Sequence, residues 1–254
     1  MLINFDAQVR AAINVEAVFG ALPKLAELAP EAREILAGLS APVTLSLRAP
    51  GISAKYTFDA NGIRRGGGAS GPTLLFATAG HVNSVVAGDA QPIPVGGIRG
   101  IRFLTGIFTP LTEVLESYLE PSPERLEDPA FREANTLLTL EVVAAALEVV
   151  ANQDESGQFS VAHMPSGTIE LQVGDDLSYR FAVADQQMTR TGESSSAPTA
   201  VLRFADLGVA GDVLFGRESS LACVSDGRIA MTGLIPLIDN LNRILDRVGA
   251  YLGD

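Results

Sequence analysis

The sequence predicts an α+β protein built as two tandem copies of one domain, residues 1–121 and 122–254. Three observations predict it: helix-like sequence opens each half, short strand-like segments fill each middle, and an amphipathic helix closes each half. Segment Thr44–Leu119 can be laid over Thr168–Leu252 element by element. Each copy is long enough to bury a core of its own.

In the first copy Val15, Val18, Phe19, Leu22, Leu25 and Leu28 keep helical spacing, and a second short helix runs from Pro30 through Ile35, Leu36 and Leu39. Strands are then expected at "TLSL" (Thr44–Leu47), "KYTF" (Lys55–Phe58) and the run Pro72-Thr73-Leu74-Leu75-Phe76, with Asp59-Ala60-Asn61-Gly62 as a turn. The short gaps leave no room for crossovers between successive strands, so they read as an antiparallel meander. A closing stripe of Leu104, Phe108, Leu111, Leu115 and Leu119 follows, interrupted by Gly106 and Pro110. Thr109-Pro110 is expected to restart that helix as N-cap and first residue. Glu120-Pro121-Ser122-Pro123 is the expected linker.

The second copy repeats the order. Leu137, Leu138, Val142, Val143, Ala146, Leu147 and Val150 predict the opening helix, and "TIEL" (Thr168–Leu171), "RFAV" (Arg180–Val183) and Pro198–Leu202 the strands, with Ala184–Gln187 as the matching turn. Its closing helix is the clearest of all: Leu237, Ile238, Leu241, Ile244, Leu245, Val248 and Leu252 form one stripe, opposite Asp239, Asn242, Arg243, Asp246 and Arg247. Pro236 suits the first turn, where a missing N–H costs nothing. The closing blocks align without a gap, placing Gly100, Leu104, Tyr118 and Leu119 on Gly233, Leu237, Tyr251 and Leu252.

Hydrophobic residues make up 47% of the chain and the mean hydropathy is +0.25. No run approaches the roughly 18 apolar residues that span a bilayer. The net charge of −12 is unequally shared: residues 1–126 hold 10 basic and 11 acidic residues, residues 127–254 hold 8 and 19. An acidic second half argues against nucleic acid as a partner and limits membrane contact to a transient one. The start "MLINFDAQVR" lacks a signal-peptide pattern, and the single Cys223 fits a reducing compartment, so a cytoplasmic location is expected.

No catalytic set emerges. Gly66-Gly67-Gly68-Ala69-Ser70-Gly71 matches G-x-G-x-x-G, but strand-like sequence follows it, where a phosphate cradle must open a helix; a flexible loop is expected. The second copy offers Gly192 with Ser194-Ser195-Ser196 instead. His81 and His163 occupy unrelated positions without metal-ligand company, and neither Ser219-Ser220 nor Ser194–Ser196 carries a nucleophile elbow. Cys223 in "LACV" reads as a small buried hydrophobe in a strand-like setting. Asp154-Glu155 and Asp175-Asp176 read as solvated turn residues. No metal and no cofactor is expected.

The segment "DGRIAMTG" (Asp226–Gly233), with Gly216, Gly227, Ile229, Met231 and Gly233 followed by "LIPLIDNLNRILDRV", resembles the sterol carrier protein 2 family. "PTAVLRFADLGVAGDVLFG" (Pro198–Gly216) is similar to that family's strand-to-helix passage. In the first copy "PTLLFATAGHVNSVVAG" (Pro72–Gly88) and "GGIRGIRFLTGIF" (Gly96–Phe108) are looser matches, and Gln91-Pro92-Ile93-Pro94 departs from the pattern, with Pro94 expected to interrupt strand pairing. The final Tyr251-Leu252-Gly253-Asp254 is no peroxisomal address. The resemblance implies a five-stranded, mainly antiparallel sheet covered by helices around an apolar cavity, and non-catalytic binding or transport of a fatty acyl, sterol-like or isoprenoid lipid.

On that reading the cavity is lined by Phe103, Leu104, Ile107, Phe108, Leu111 and Leu115 in the first copy and by Leu237, Ile238, Leu241, Ile244, Leu245 and Val248 in the second. The partner is a hydrophobic small molecule or lipid. One rival is an interaction or scaffold module whose stripes are plain core. The other, an enzyme with a site between the copies using an acid with His81 or His163, has least support.

Overall fold

The computed structural model describes residues 5–192 and 196–253; Ser194 and Ser195, with residues 1–4, 193 and 254, lie outside the described residues. The chain divides into two compact units, Met1–Val142 and Val143–Asp254.

The first unit opens with α1 (Ala7–Ile13), capped by Asp6, whose carboxylate accepts the Gln8 N–H at 2.7 Å. A π turn (Asn14–Val18) and a 3-10 turn (Phe19–Ala21) lead into α2 (Leu22–Leu28), and α3 (Pro30–Ala37) follows. The expected apolar spacing is therefore kept through two changes of pitch. Next come β1 (Val43–Ala49), β2 (Ile52–Asp59), β3 (Gly62–Arg65), β4 (Thr73–Leu75), α4 (Ala79–Val86) and β5 (Ile93–Val95). The closing rod is α5 (Ile98–Phe103), a π turn (Leu104–Phe108) and α6 (Thr109–Leu119). Helix α7 (Pro129–Gln153) begins in this unit, where Phe131 lies 4.6 Å from the Tyr118 ring and Asn135 Nδ2 donates to Tyr118 O at 2.6 Å. The units accordingly divide inside α7, beyond the expected linker at 120–123.

The second unit holds the rest of α7, then α8 (Glu155–Ala162), β6 (Gly167–Val173), β7 (Leu177–Ala184), β8 (Gln187–Thr191), β9 (Ala200–Phe204), α9 (Leu207–Leu214), α10 (Ser220–Ser225), β10 (Ile229–Gly233) and α11 (Ile235–Leu252). By length and composition α7 could cross a membrane, but 67% of its most apolar window is buried, as in a core helix.

Both sheets have five strands in the same topological order, β3-β2-β1-β4-β5 and β8-β7-β6-β9-β10. Three of the four pairings in each are antiparallel; the central pairs β1–β4 and β6–β9 are parallel. The meander expectation holds for β1–β2–β3 and β6–β7–β8 but fails at β3–β4 and β8–β9, successive strands that do not pair, because the chain crosses β2 and β1 to lay β4 on the far side of β1. Residues 66–72 make that crossing as a strap on the outer face. A Cβ on Gly67 would clash with Thr57 Oγ1, and one on Gly71 with the Thr44 carbonyl oxygen. The glycines let backbone lie against the sheet, over the buried Thr44–Thr57 hydroxyl pair (2.9 Å). In the second unit, among the described residues, Arg180 Nη1 donates to Ser196 O at 2.9 Å while its Nε donates to Glu170 at 3.0 Å.

The first hairpins pair as aligned, Val43↔Phe58 matching Gly167↔Val183. The next strand differs by two residues: Leu74 opposes Leu47, and Leu202 opposes Leu171, so Leu74 corresponds to Leu202 rather than Ala200. A slip of two keeps every side chain on its face, so the hydrophobic pattern alone could not reveal it. Pro94 does not prevent pairing. It opposes Leu74 from β5, an edge strand, where a missing N–H is tolerated.

Candidate functional site

Strand alternation gives each sheet one apolar face. Leu45, Leu47, Tyr56, Phe58 and Leu74 are all buried, and the pairings Leu45↔Tyr56 and Leu47↔Leu74 put them on one side. The Tyr56 hydroxyl donates to Val15 O at 2.9 Å, and burial pushes its pKa up to about 12. The closing rod lies on this face: Phe103 and Phe108 meet the Phe58 ring edge-on at 5.2 and 6.3 Å, and Phe19 lies 6.0 Å from Phe108. In the second unit α11 packs on α8 and β9.

Of the twelve expected lining residues, Phe103, Phe108, Leu111, Leu115, Leu237, Ile238, Leu241, Ile244 and Val248 are buried. Leu104, Ile107 and Leu245 are half-buried. Each set is gathered on one helix of its own unit. Thr109 does not cap a new helix; its backbone is helical and its N–H reaches back to Leu104 O. That longer loop relaxes the ladder just ahead of Pro110, which cannot donate to it. The rod thus runs unbroken from Ile98 to Leu119.

Gly100 lies inside this rod, whereas Gly233 precedes α11. The structural counterpart of Gly233 (φ +95) is Gly96 (φ +149), each two residues ahead of its helix. A Cβ on Gly96 would meet Pro72 Cα at 3.1 Å, and one on Gly233 would clash with Thr199 O. Gly100 also seats on Pro72, with its virtual Cβ 3.1 Å from the Pro72 Cβ. Since Tyr118 and Tyr251 stand at matching positions near the C-terminal ends, the first rod carries an additional turn at its head, containing Ile98, Arg99, Ile101 and Arg102.

Asp154 was expected to be a solvated turn residue; it is buried. One oxygen caps α8, accepting from Ser156 N (3.0 Å) and Gly157 N (3.1 Å). The other accepts from Arg247 Nε (3.0 Å) and the Tyr251 hydroxyl (2.8 Å), fastening α11 to α8. Burial opposes ionisation, but the Arg247, Tyr251 and Gly157 hydrogen bonds prevail and hold the carboxyl below its ordinary value. The sequence clue is the Arg247/Tyr251 spacing of one helical turn along one edge of the apolar stripe. Tyr118, the counterpart of Tyr251, reaches Glu31 at 3.3 Å in a more open setting.

The remaining candidates are engaged by burial or by local contacts. Cys223 is buried, but in α10 rather than a strand, and burial raises its thiol pKa. His81 Nδ1 accepts the Ala77 N–H at 3.0 Å and its Nε2 meets Gln91 O at 2.9 Å; His163 bonds Phe159 O at 2.7 Å. Asp175, in the β6–β7 turn, pairs with Arg203 at 2.7 Å. Among the described residues no group of three or more His, Cys, Asp or Glu is placed to hold a metal. The loop 66–71 enters strand β4 and no helix, so it lacks the geometry of a phosphate cradle.

No protein-family model and no curated protein matches the chain. Solved structures do. The chain is similar to sterol carrier domains. A UbiJ-SCP2 ubiquinone synthesis protein is 14% identical with a TM-score of 0.33, the match covering 43% of this chain and 98% of that one. The sterol carrier protein domain 2 of Helicoverpa armigera is 11% identical with a TM-score of 0.32, covering 45% and 89%. A Thermus thermophilus protein described as possibly a sterol carrier protein is 15% identical with a TM-score of 0.32, covering 44% and 87%.

Proposed function

We propose that the protein binds and carries a hydrophobic ligand, a fatty acyl, sterol-like or isoprenoid lipid, between the apolar sheet face and the closing helix, without chemistry. The observation that carries this reading is the apolar stripe of each closing helix laid on one side of a five-stranded sheet. Leu104, Ile107 and Leu245 on those helices retain surface that a ligand can cover. The sequence resemblance to sterol carrier domains supports the same reading. Each methylene transferred from water contributes about 0.8 kcal/mol, so affinity should rise about fourfold per added carbon in a fatty-acid series.

Titration with a fluorescent fatty acid and native mass spectrometry of gently purified protein test the proposal. Saturable binding that strengthens with chain length supports it; absence of binding in both measurements rejects it. The scaffold alternative is favoured by Leu111, Leu237, Leu241 and Ile244, which are completely buried. A protein that neither carries nor takes up lipid would be read that way.

A further inference from the structure

The head of the first unit's closing rod is built unlike a protein surface meant to face water. Ile98 is 73% exposed, Ile101 52%, and Ile93 and Val95 on the adjoining edge strand 51% and 50%. Single exposed aliphatics are ordinary, but four within residues 93–101 form a concentrated apolar patch. Arg99 and Arg102 alternate with the isoleucines and are exposed as well. No Asp or Glu occurs between Asp89 and Glu113, in a chain with 30 acidic residues. Neither arginine forms an ion pair among the described residues.

We infer that this head, with Ile93 and Val95 beside it, docks on the surface of an anionic lipid bilayer. Isoleucines bury in the interface while the neighbouring guanidinium groups meet headgroup phosphates, the arrangement of an interfacial anchor. Arg64 and Arg65 lie on the opposite edge of the sheet and pair with Asp59 and Glu16, so the positive charge at the patch is that of Arg99 and Arg102. With a Debye length of about 8 Å at physiological salt, acidic residues farther away than that are largely screened from it. Gly96 and Gly100, both seated on Pro72, hold the head of the rod to the sheet. The matching place in the second unit exposes Leu234 (45%) and Ile235 (77%) without the two arginines. It supplies an internal control.

The inference is independent of what the core binds. Full-length protein is sedimented with vesicles of phosphatidylcholine containing a quarter phosphatidylglycerol, and with pure phosphatidylcholine. Binding to the anionic vesicles, weakening with salt, is expected. Arg99→Gln with Arg102→Gln should lower the partition coefficient about 30-fold, which is about 2 kcal/mol at about 1 kcal/mol per basic residue. Ile98→Ser with Ile101→Ser should lower it at least about 10-fold, whereas Leu234→Ser with Ile235→Ser should leave it unchanged. Circular dichroism checks that these exposed substitutions keep the fold. Equal affinity for neutral and anionic vesicles, no binding to either, no loss in the first two variants, or a loss in the third overturns the inference. Concentration-dependent self-association abolished by the isoleucine variant, with no vesicle binding, would assign the patch to a second copy and overturn it equally.

Discussion

The two units share a strand order and solve the same problems with different chemistry. Where the closing helix must be fastened, the second unit buries a carboxylate between Arg247 and Tyr251. The first leaves Glu31 half in solvent beside Tyr118 and Arg125, with side-chain exposures of 49% for Glu31 and 36% for Arg125. Where the chain crosses the sheet, the first unit lays glycines against it, and in the second a guanidinium group, that of Arg180, holds the Ser196 carbonyl. One topology thus tolerates a packing solution and an electrostatic one, and the two should fail under different conditions.

Asp154→Ala should have the largest effect. It removes the buried carboxylate to which Arg247 and Tyr251 donate and uncaps α8, at a cost of about 2–4 kcal/mol. Hydrogen exchange resolved by peptide should show the loss in residues 143–254 and not in the first unit. A whole-chain melt alone is insufficient because two units need not unfold as one.

Opposite pH limits come next. Tyr56 has a folded pKa raised from 10.0 to about 12. Its contribution, roughly 3 kcal/mol at about 1.4 kcal/mol per unit, is complete below pH 10 and disappears as pH rises through 12. Asp154 has a folded pKa below 3.8. Its contribution is complete above that value and disappears as pH falls through the folded pKa. Exchange measured at both extremes should therefore open the first unit in alkali through Tyr56 and the second in acid through Asp154; the reverse order would break the comparison.

Gly71→Ala should destabilise the first unit by about 2 kcal/mol, since a backbone carbonyl occupies the place of the new methyl group. Gly68→Ala, which meets nothing within 4 Å, should be neutral or stabilising by up to about 1 kcal/mol. Urea titrations followed by first-unit tyrosine signals separate the two. Smallest of all, Glu31→Ala should cost less than about 1 kcal/mol, as exposed ion pairs do. A loss comparable with that of Asp154→Ala would show the two fastenings to be equivalent after all.

Much of this architecture is legible in the sequence. The duplication, the first hairpin register and both closing helices follow from periodicity and punctuation, which are local. What escaped was non-local. The parallel central pair depends on a strap whose glycines look like loop filler until the sheet lies beneath them. The two-residue shift between β4 and β9 changes no side chain's face, so no pattern reports it. Asp154 looked like a turn residue because its partners, Arg247 and Tyr251, lie at the far end of the unit's sequence. Pro94 misled because the edge position of its strand is a property of the sheet, not of the tripeptide. The lining residues were found as a stripe, yet burial separates Leu104, Ile107 and Leu245 from the rest only once neighbours are known.

The π turn at Leu104–Phe108 also sets an azimuth. In an α-helix each residue advances the chain by about 100° around the axis, so a single widened turn fixes which way everything ahead of it points. Ile98, Arg99, Ile101 and Arg102 all lie ahead of it, while Leu111, Leu115 and Tyr118 lie behind, anchored in the core. Deleting one residue from the turn would leave that anchor in place and swing the head by roughly a quarter of a revolution. One irregular turn acts as the phase setting between the part of the rod that is buried and the part that is shown.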